Sequence, residues 1–315
     1  MPGKCITGSS GKFYLRRALR ILPAYWTALF LLFGFEWFQL APVPSWRDLA
    51  LHFSLLHDMT AESLYTINGP FWTMAVEVQF YAVLPLIAGS LIWLVRRQHR
   101  AWAIALFVAL WGASIGYSIV VELSQRYVGR FIAGLDVLFP LQYLSVFVSG
   151  MLCSILYVLI QKREASGVLL PNLRSFCAWA GPAGIAILLA YIYTRTMQQH
   201  LPAPFINTIL AVGYAELLLG TLVGWARWRL LLSNSYLRFI GLISYSMYIW
   251  NEPLDHYVIM PITQQVASGG MRIPTAFLLF GLITVPFSFM FYYFIERPFF
   301  PARRAQTDVA VVGAP

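Results

Sequence analysis

From Pro70 to Leu94 the chain is almost continuously apolar, and Glu77 is the one charged residue inside that run. A stretch of this length exceeds the ~20 residues that a helix needs to cross a bilayer. A proline opens it, in the first helical turn, where its missing N–H costs nothing. Seven residues of helix separate Glu77 from Pro70, which places the acid about 10 Å below the start. A charge at that depth costs on the order of 3 kcal/mol or more unless it faces a polar interior, so Glu77 is a candidate catalytic residue. The alternative is a buried structural carboxylate paired with an Arg or Tyr of another helix.

Further apolar runs at 22–41, 101–121, 136–160, 176–194, 204–225, 239–258 and 273–295 match it in length. The sequence therefore predicts an all-α, polytopic transmembrane bundle of about eight spans. Glu36 weakens the first run, and Asn251 with Glu252 weakens the seventh. Of the 315 residues 59% are hydrophobic and 11% charged, whereas a soluble domain has about 25% charged residues. Continuous apolar runs also exclude a β-barrel, whose strands alternate.

The net charge of +9 is no sign of nucleic-acid binding, because the basic residues fall in short clusters between the apolar runs. With a cytoplasmic N-terminus, 17 of the 22 Lys and Arg lie inside, leaving Arg47, Arg126, Arg130, Arg195 and Arg272 outside. That asymmetry predicts both termini in the cytoplasm. A single membrane domain is expected over residues 1–300, followed by a disordered cytoplasmic tail at 301–315. The first eleven residues hold no apolar core of a secretory signal.

Cys5, Cys153 and Cys177 have no metal-ligand spacing and read as small hydrophobes, and no metal site is expected. None of His52, His57, His99, His200 and His256 lies deep in a span. P-loop, dinucleotide, zinc-protease and nucleophile-elbow motifs are absent. The connection from Pro42 to Gly69, rich in polar residues, reads as a solvated connector, with a part in a site or lid as the alternative.

Two polar constellations remain. Arg17 and Arg20, three residues apart, share a face if their segment is helical, and guanidinium pairs suit phosphate oxygens. An ordinary juxtamembrane basic cluster is the competing reading. Ser244, Tyr248 and Asn251 follow i, i+4, i+7 spacing and lie on one helical face, either lining a polar cavity or packing helices together. Glu296 beside Arg297 reads as a structural ion pair.

Four blocks carry a resemblance. Arg17-Ala-Leu-Arg20-Ile-Leu-Pro23, Phe71-Trp72 through Tyr81 with Glu77, Gly241 through Trp250, and Ile295-Glu296-Arg297-Pro298-Phe299 occur in the order seen in the membrane acyltransferase family 3, which this chain resembles over 13–300. The resemblance implies a multi-pass O-acyltransferase of a bacterial inner (plasma) membrane. It would move an acetyl or other short acyl group from cytoplasmic acyl-CoA to a hydroxyl of a cell-envelope or exported glycan. The implied partners are the lipid bilayer, acyl-CoA as co-substrate and a glycan acceptor, with no tightly bound cofactor and no nucleic acid. Arg17, Arg20, Trp72, Tyr248 and Asn251 would bind substrate.

Family members carry two further helices ahead of the first block, one bearing a His taken as general base. Here the block begins at Phe13, and Asn251 stands where a His is frequent. The expectation is an N-terminally incomplete domain. His52 or His57 would be substitute bases, and a non-catalytic glycan-binding or transport component on the same scaffold is the alternative.

Overall fold

The computed structural model describes residues 10–38, 44–128, 136–167, 171–196, 203–224, 230, 232 and 234–300. The tail expected at 301–315 lies outside the described residues, as do Cys5, His200 and several topology-setting cations such as Lys4, Arg130, Arg227 and Arg229. In hydrocarbon every backbone N–H and C=O must be satisfied within the chain, and the described spans meet that demand as helices. Seven stretches among the described residues are long and apolar enough to cross a membrane. The chain is an all-α polytopic protein.

In order, the helices are α1 (Ser10–Phe38), α2 (Trp46–Phe53), α3 (Phe71–Arg96), α4 (Arg100–Val128), α5 (Leu144–Ala165), α6 (Pro171–Thr196), α7 (Ala203–Val223), α8 (Ser235–Leu254), α9 (Met260–Val266) and α10 (Arg272–Phe291). The helix expected from residue 22 begins instead at Ser10, so the basic cluster holding Arg17 and Arg20 is itself helical. The seventh expected span, 239–258, is helical and passes through a π turn (Asp255–Ile259) into α9. It is not among the seven apolar stretches, since Asn251, Glu252 and Asp255 crowd its end.

Two compact units divide the chain: Met1–Leu55, Tyr65–Met74 and Leu242–Pro315 form the first, Leu56–Leu64 and Ala75–Gly241 the second. In the first, Tyr25 of α1 is fully buried and donates its hydroxyl to the His52 carbonyl at 2.9 Å, while its ring meets Phe71 at 4.7 Å. Trp26 stacks on Phe53 at 5.0 Å and donates to the Phe53 carbonyl. Ser45 caps α2 in a reciprocal box with Asp48, which satisfies the orphan N–H groups of the first turn. The segment 44–70 is thus no solvated connector, because His52, His57, Asp58, Ser63 and Asn68 are all buried. Its polar composition suggested exposure; helix capping and buried hydrogen bonds are what those polar groups provide.

In the second unit α6 and α7 meet at glycines. Any Cβ at Gly220 would overlap the backbone of Gly181, and one at Gly184 would come within 2.5 Å of the Gly213 carbonyl oxygen. Close backbone approach through small residues is the usual solution where lipid offers no hydrophobic drive between helices. Ile160, Cys177 and Val223 form a buried cluster beside it, so Cys177 behaves as the small hydrophobe expected. Phe80 and Phe147 stack at 3.9 Å.

Gly220→Ala is expected to destabilise the protein by roughly 1–3 kcal/mol, since backbone rather than a flexible side chain must yield. Gly112→Ala, on α4 with open space around it, should be neutral or slightly stabilising. Thermal unfolding of the purified protein in detergent measures both.

Asp58 supplies a pH test. It is buried, accepts a hydrogen bond from Gln79 Nε2 at 2.7 Å, and burial pushes its carboxyl from 3.8 up to about 6. Between those values the folded protein holds a proton that the unfolded chain has released, so stability falls as pH rises through that window. Asp58→Asn keeps an acceptor for Gln79 and removes the buried charge. It should raise stability at pH 7.5 by on the order of 1–3 kcal/mol, with the gain vanishing near pH 4.

Candidate functional site

Within the first unit, the segment 65–70 is anchored to α8 through Asn68, whose side-chain Nδ2 donates to the Ile249 carbonyl at 2.9 Å and which is only 4% exposed. Asn68 accepts from the N–H of Phe71 and so leads directly into α3. Its neighbour Ile67 holds φ of 64°. That left-handed conformation is strained for a β-branched residue, and such strain persists where surrounding structure imposes it.

This arrangement opens a cavity of about 660 Å³, within the roughly 300–1,000 Å³ typical of small-ligand sites. Trp72, Tyr248 and Asn251, three residues expected to bind substrate, all line it, together with Tyr65, Glu252 and Asp255. Ser244, from the same helical row as Tyr248 and Asn251, is exposed and does not line it. A smaller cavity of about 230 Å³ shares Tyr65, Gly69 and Glu252 and is lined also by Asn68 and His256.

Hydrogen-bond accounting fixes the polarity of the walls. Thr73 Oγ1 lies 2.9 Å from both the Pro70 carbonyl oxygen and Tyr248 Oη. A carbonyl only accepts, so the single Thr73 proton goes to Pro70, and Tyr248 then donates to Thr73 while its oxygen lone pairs remain as acceptors. Asn251 Oδ1 accepts from the Glu252 N–H at 2.6 Å, which fixes that amide. Asn68 Oδ1 is buried and accepts no hydrogen bond from the described residues. A buried acceptor left that way costs about 1–3 kcal/mol.

Gly69 and Glu252 were missed as site residues by sequence reasoning. The Glu252 carboxylate rests where a Cβ on Gly69 would sit, so glycine is what makes room for it. The usable signal was the acid in an apolar helix, the same rule that singled out Glu77.

The cationic pair sits on the first turns of α1. Helical geometry puts Arg17 and Arg20 on neighbouring positions of one face; Arg17 lies over the Phe13 ring at 5.7 Å, and Arg20 is exposed. Arg20 is near enough for its charge to be felt at Glu296. Glu296 itself is buried and accepts a hydrogen bond from Ser246, and Arg297 instead packs over the Tyr293 ring at 4.7 Å. The expected Glu296–Arg297 ion pair is therefore replaced by a hydroxyl–carboxylate bond, because the two side chains leave the turn in different directions.

In the second unit, Glu77 is partly buried on α3 and accepts the Tyr81 hydroxyl at 2.5 Å, one helical turn on. His52 is fully buried, its ring Nδ1 donates to the Asp48 carbonyl at 2.9 Å, and burial pushes its pKa below 6.5. It braces α2 and lines neither cavity. His57 is equally buried and lines neither cavity. Among the described residues no cluster of His, Cys, Asp or Glu is arranged to hold a metal ion.

A family model described as an acyltransferase domain (Acyl_transf_3) matches residues 5–293. No curated protein and no solved structure matches the chain. Nearly the whole of the described chain falls inside that family match, and its polytopic helices suit a membrane enzyme of this type. The chain is a multi-pass membrane protein that belongs to the acyltransferase 3 family.

Proposed function

We propose that this protein is an O-acyltransferase of a bacterial inner (plasma) membrane, carrying an acetyl or other short acyl group from cytoplasmic acyl-CoA to a hydroxyl of a cell-envelope or exported glycan. The observation that carries this reading is the convergence of Trp72, Tyr248 and Asn251, from two blocks more than 170 residues apart in sequence, on one cavity. Aromatic faces with a few oriented polar groups suit a sugar ring, whose C–H faces pack and whose hydroxyls hydrogen-bond.

The chemistry is a displacement at a thioester. An acceptor hydroxyl oxygen forms a bond to the acyl carbon, the carbon–sulfur bond breaks, and the hydroxyl proton leaves as coenzyme A departs as its thiol. Arg17 and Arg20 hold the donor through its phosphates, where charge-assisted hydrogen bonds are strongest. Glu77, oriented by the Tyr81 hydroxyl, receives or positions the hydroxyl proton.

Arg17→Ala or Arg20→Ala should raise the KM for acetyl-CoA by roughly 10- to 100-fold, as expected for losing a charged hydrogen bond, with little change in the acceptor KM. An unchanged donor KM would remove the clamp from the mechanism. Glu77→Gln keeps an acceptor for Tyr81 and should lower kcat by about 100-fold or more with normal membrane accumulation. Failure to accumulate would assign Glu77 a structural role. Transfer of radiolabelled acetyl groups from acetyl-CoA to membrane glycan is the assay for all three, and no transfer by the wild-type chain would favour a non-catalytic glycan-binding or transport component.

A further inference from the structure

The two cavities beside Glu252 are rich in hydrogen-bond acceptors, with the Asn251 side-chain amide N–H group as a donor in the larger one. Carboxylates of Glu252 and Asp255, the lone pairs of Tyr248 Oη and the buried Oδ1 of Asn68 all accept. No Lys or Arg is among the described residues that line either cavity. Neither Glu252 nor Asp255 forms an ion pair among the described residues. Asn68 is the sharpest indicator. Its Nδ2 donates to Ile249, its Oδ1 is buried and accepts no hydrogen bond from the described residues, and it lines the smaller cavity, where a ligand or water can supply the donor.

Gly69 joins the two cavities. Because it has no Cβ, the Glu252 carboxylate lies against the backbone at a point that both cavities share. Tyr65 and Trp72 add ring surfaces on which the apolar face of a sugar packs. Walls rich in acceptors favour a ligand rich in O–H or N–H donors, and two carboxylates with no Lys or Arg among the described lining residues disfavour an anionic one.

We infer that this paired cavity is a binding site for a neutral or amine-bearing oligosaccharide, that it discriminates against uronate- and phosphate-bearing glycans, and that Glu252 with Asp255 sets this preference. The inference rests on the O-acyltransferase reading only in taking the bound glycan as the acceptor; Glu252 and Asp255 act as binding residues and carry out no step of the transfer.

The test is binding of the full chain, purified in lipid nanodiscs, to an array of neutral, amino- and uronate-bearing oligosaccharides. The tightest binder of each class is then titrated calorimetrically. Neutral or amine-bearing sugars should bind at least tenfold more tightly than uronates. Glu252→Gln, which keeps the shape and removes the charge, should erase most of that discrimination, and Glu252→Lys should reverse it toward uronates. A merely structural role for Glu252 would weaken all classes alike and would overturn the inference.

Gly69→Ala gives a second route. The atoms in its way are the end of a flexible side chain, so the protein should fold with an unchanged thermal midpoint while the Glu252 carboxylate moves and neutral-sugar affinity drops about tenfold. Equal or tighter uronate binding by the unaltered protein, or no binding by any neutral or amine-bearing member, overturns the inference. Binding as described with no acyl transfer leaves it standing and removes the enzymatic reading instead.

Discussion

The rest of this structure depends on the need to satisfy backbone polar groups where no water is available. Inside the spans, helices meet that need by themselves. Between spans the chain must find other partners, and in the segment 44–70 it does so with an exposed Ser45–Asp48 cap and two buried bonds, the Tyr25 hydroxyl on the His52 carbonyl and the Asn68 amide on the Ile249 carbonyl. The last of these takes a side chain that sequence patterning would mark as solvent-facing and turns it inward.

The candidate site follows from one of those bonds. Asn68 is tied to α8, and Trp72 from α3 lines the same cavity as Tyr248 and Asn251; beside Asn68, Ile67 lies in a backbone region that a β-branched residue avoids, spanned by the bond from the Asn68 N–H to the Thr66 carbonyl. The glycine at 69 then admits the Glu252 carboxylate. Glycine serves a different purpose in the second unit, where Gly181, Gly184, Gly213 and Gly220 let two helices approach backbone to backbone. One residue type thus makes room for an acid in one place and for a neighbouring helix in another.

Histidine shows how burial changes the chemical meaning of a residue. His52 and His57 lie in the polar segment and would be natural bases if exposed. The ring of His52 is instead spent on a backbone carbonyl, and burial favours its neutral form. Glu77 accepts a hydroxyl from its own helix, that of Tyr81.

The class was legible in the residues alone: all-α, polytopic, and of the acyltransferase 3 family, because the length of an apolar run and the order of four blocks are properties of a one-dimensional string. The sequence also marked Glu77 through the cost of charge in hydrocarbon, and it put Tyr248 and Asn251 on one face through helical periodicity. It misjudged the start of α1, the exposure of 44–70 and the partner of Glu296, since a polar residue reads the same whether it meets water or a buried carbonyl. Three-dimensional packing was needed to bring Trp72 beside Tyr248, to fit Gly69 to Glu252, and to bury an Asn68 acceptor that no described residue fills. Those facts depend on where segments some 180 residues apart come to rest, and packing rather than local periodicity sets that position.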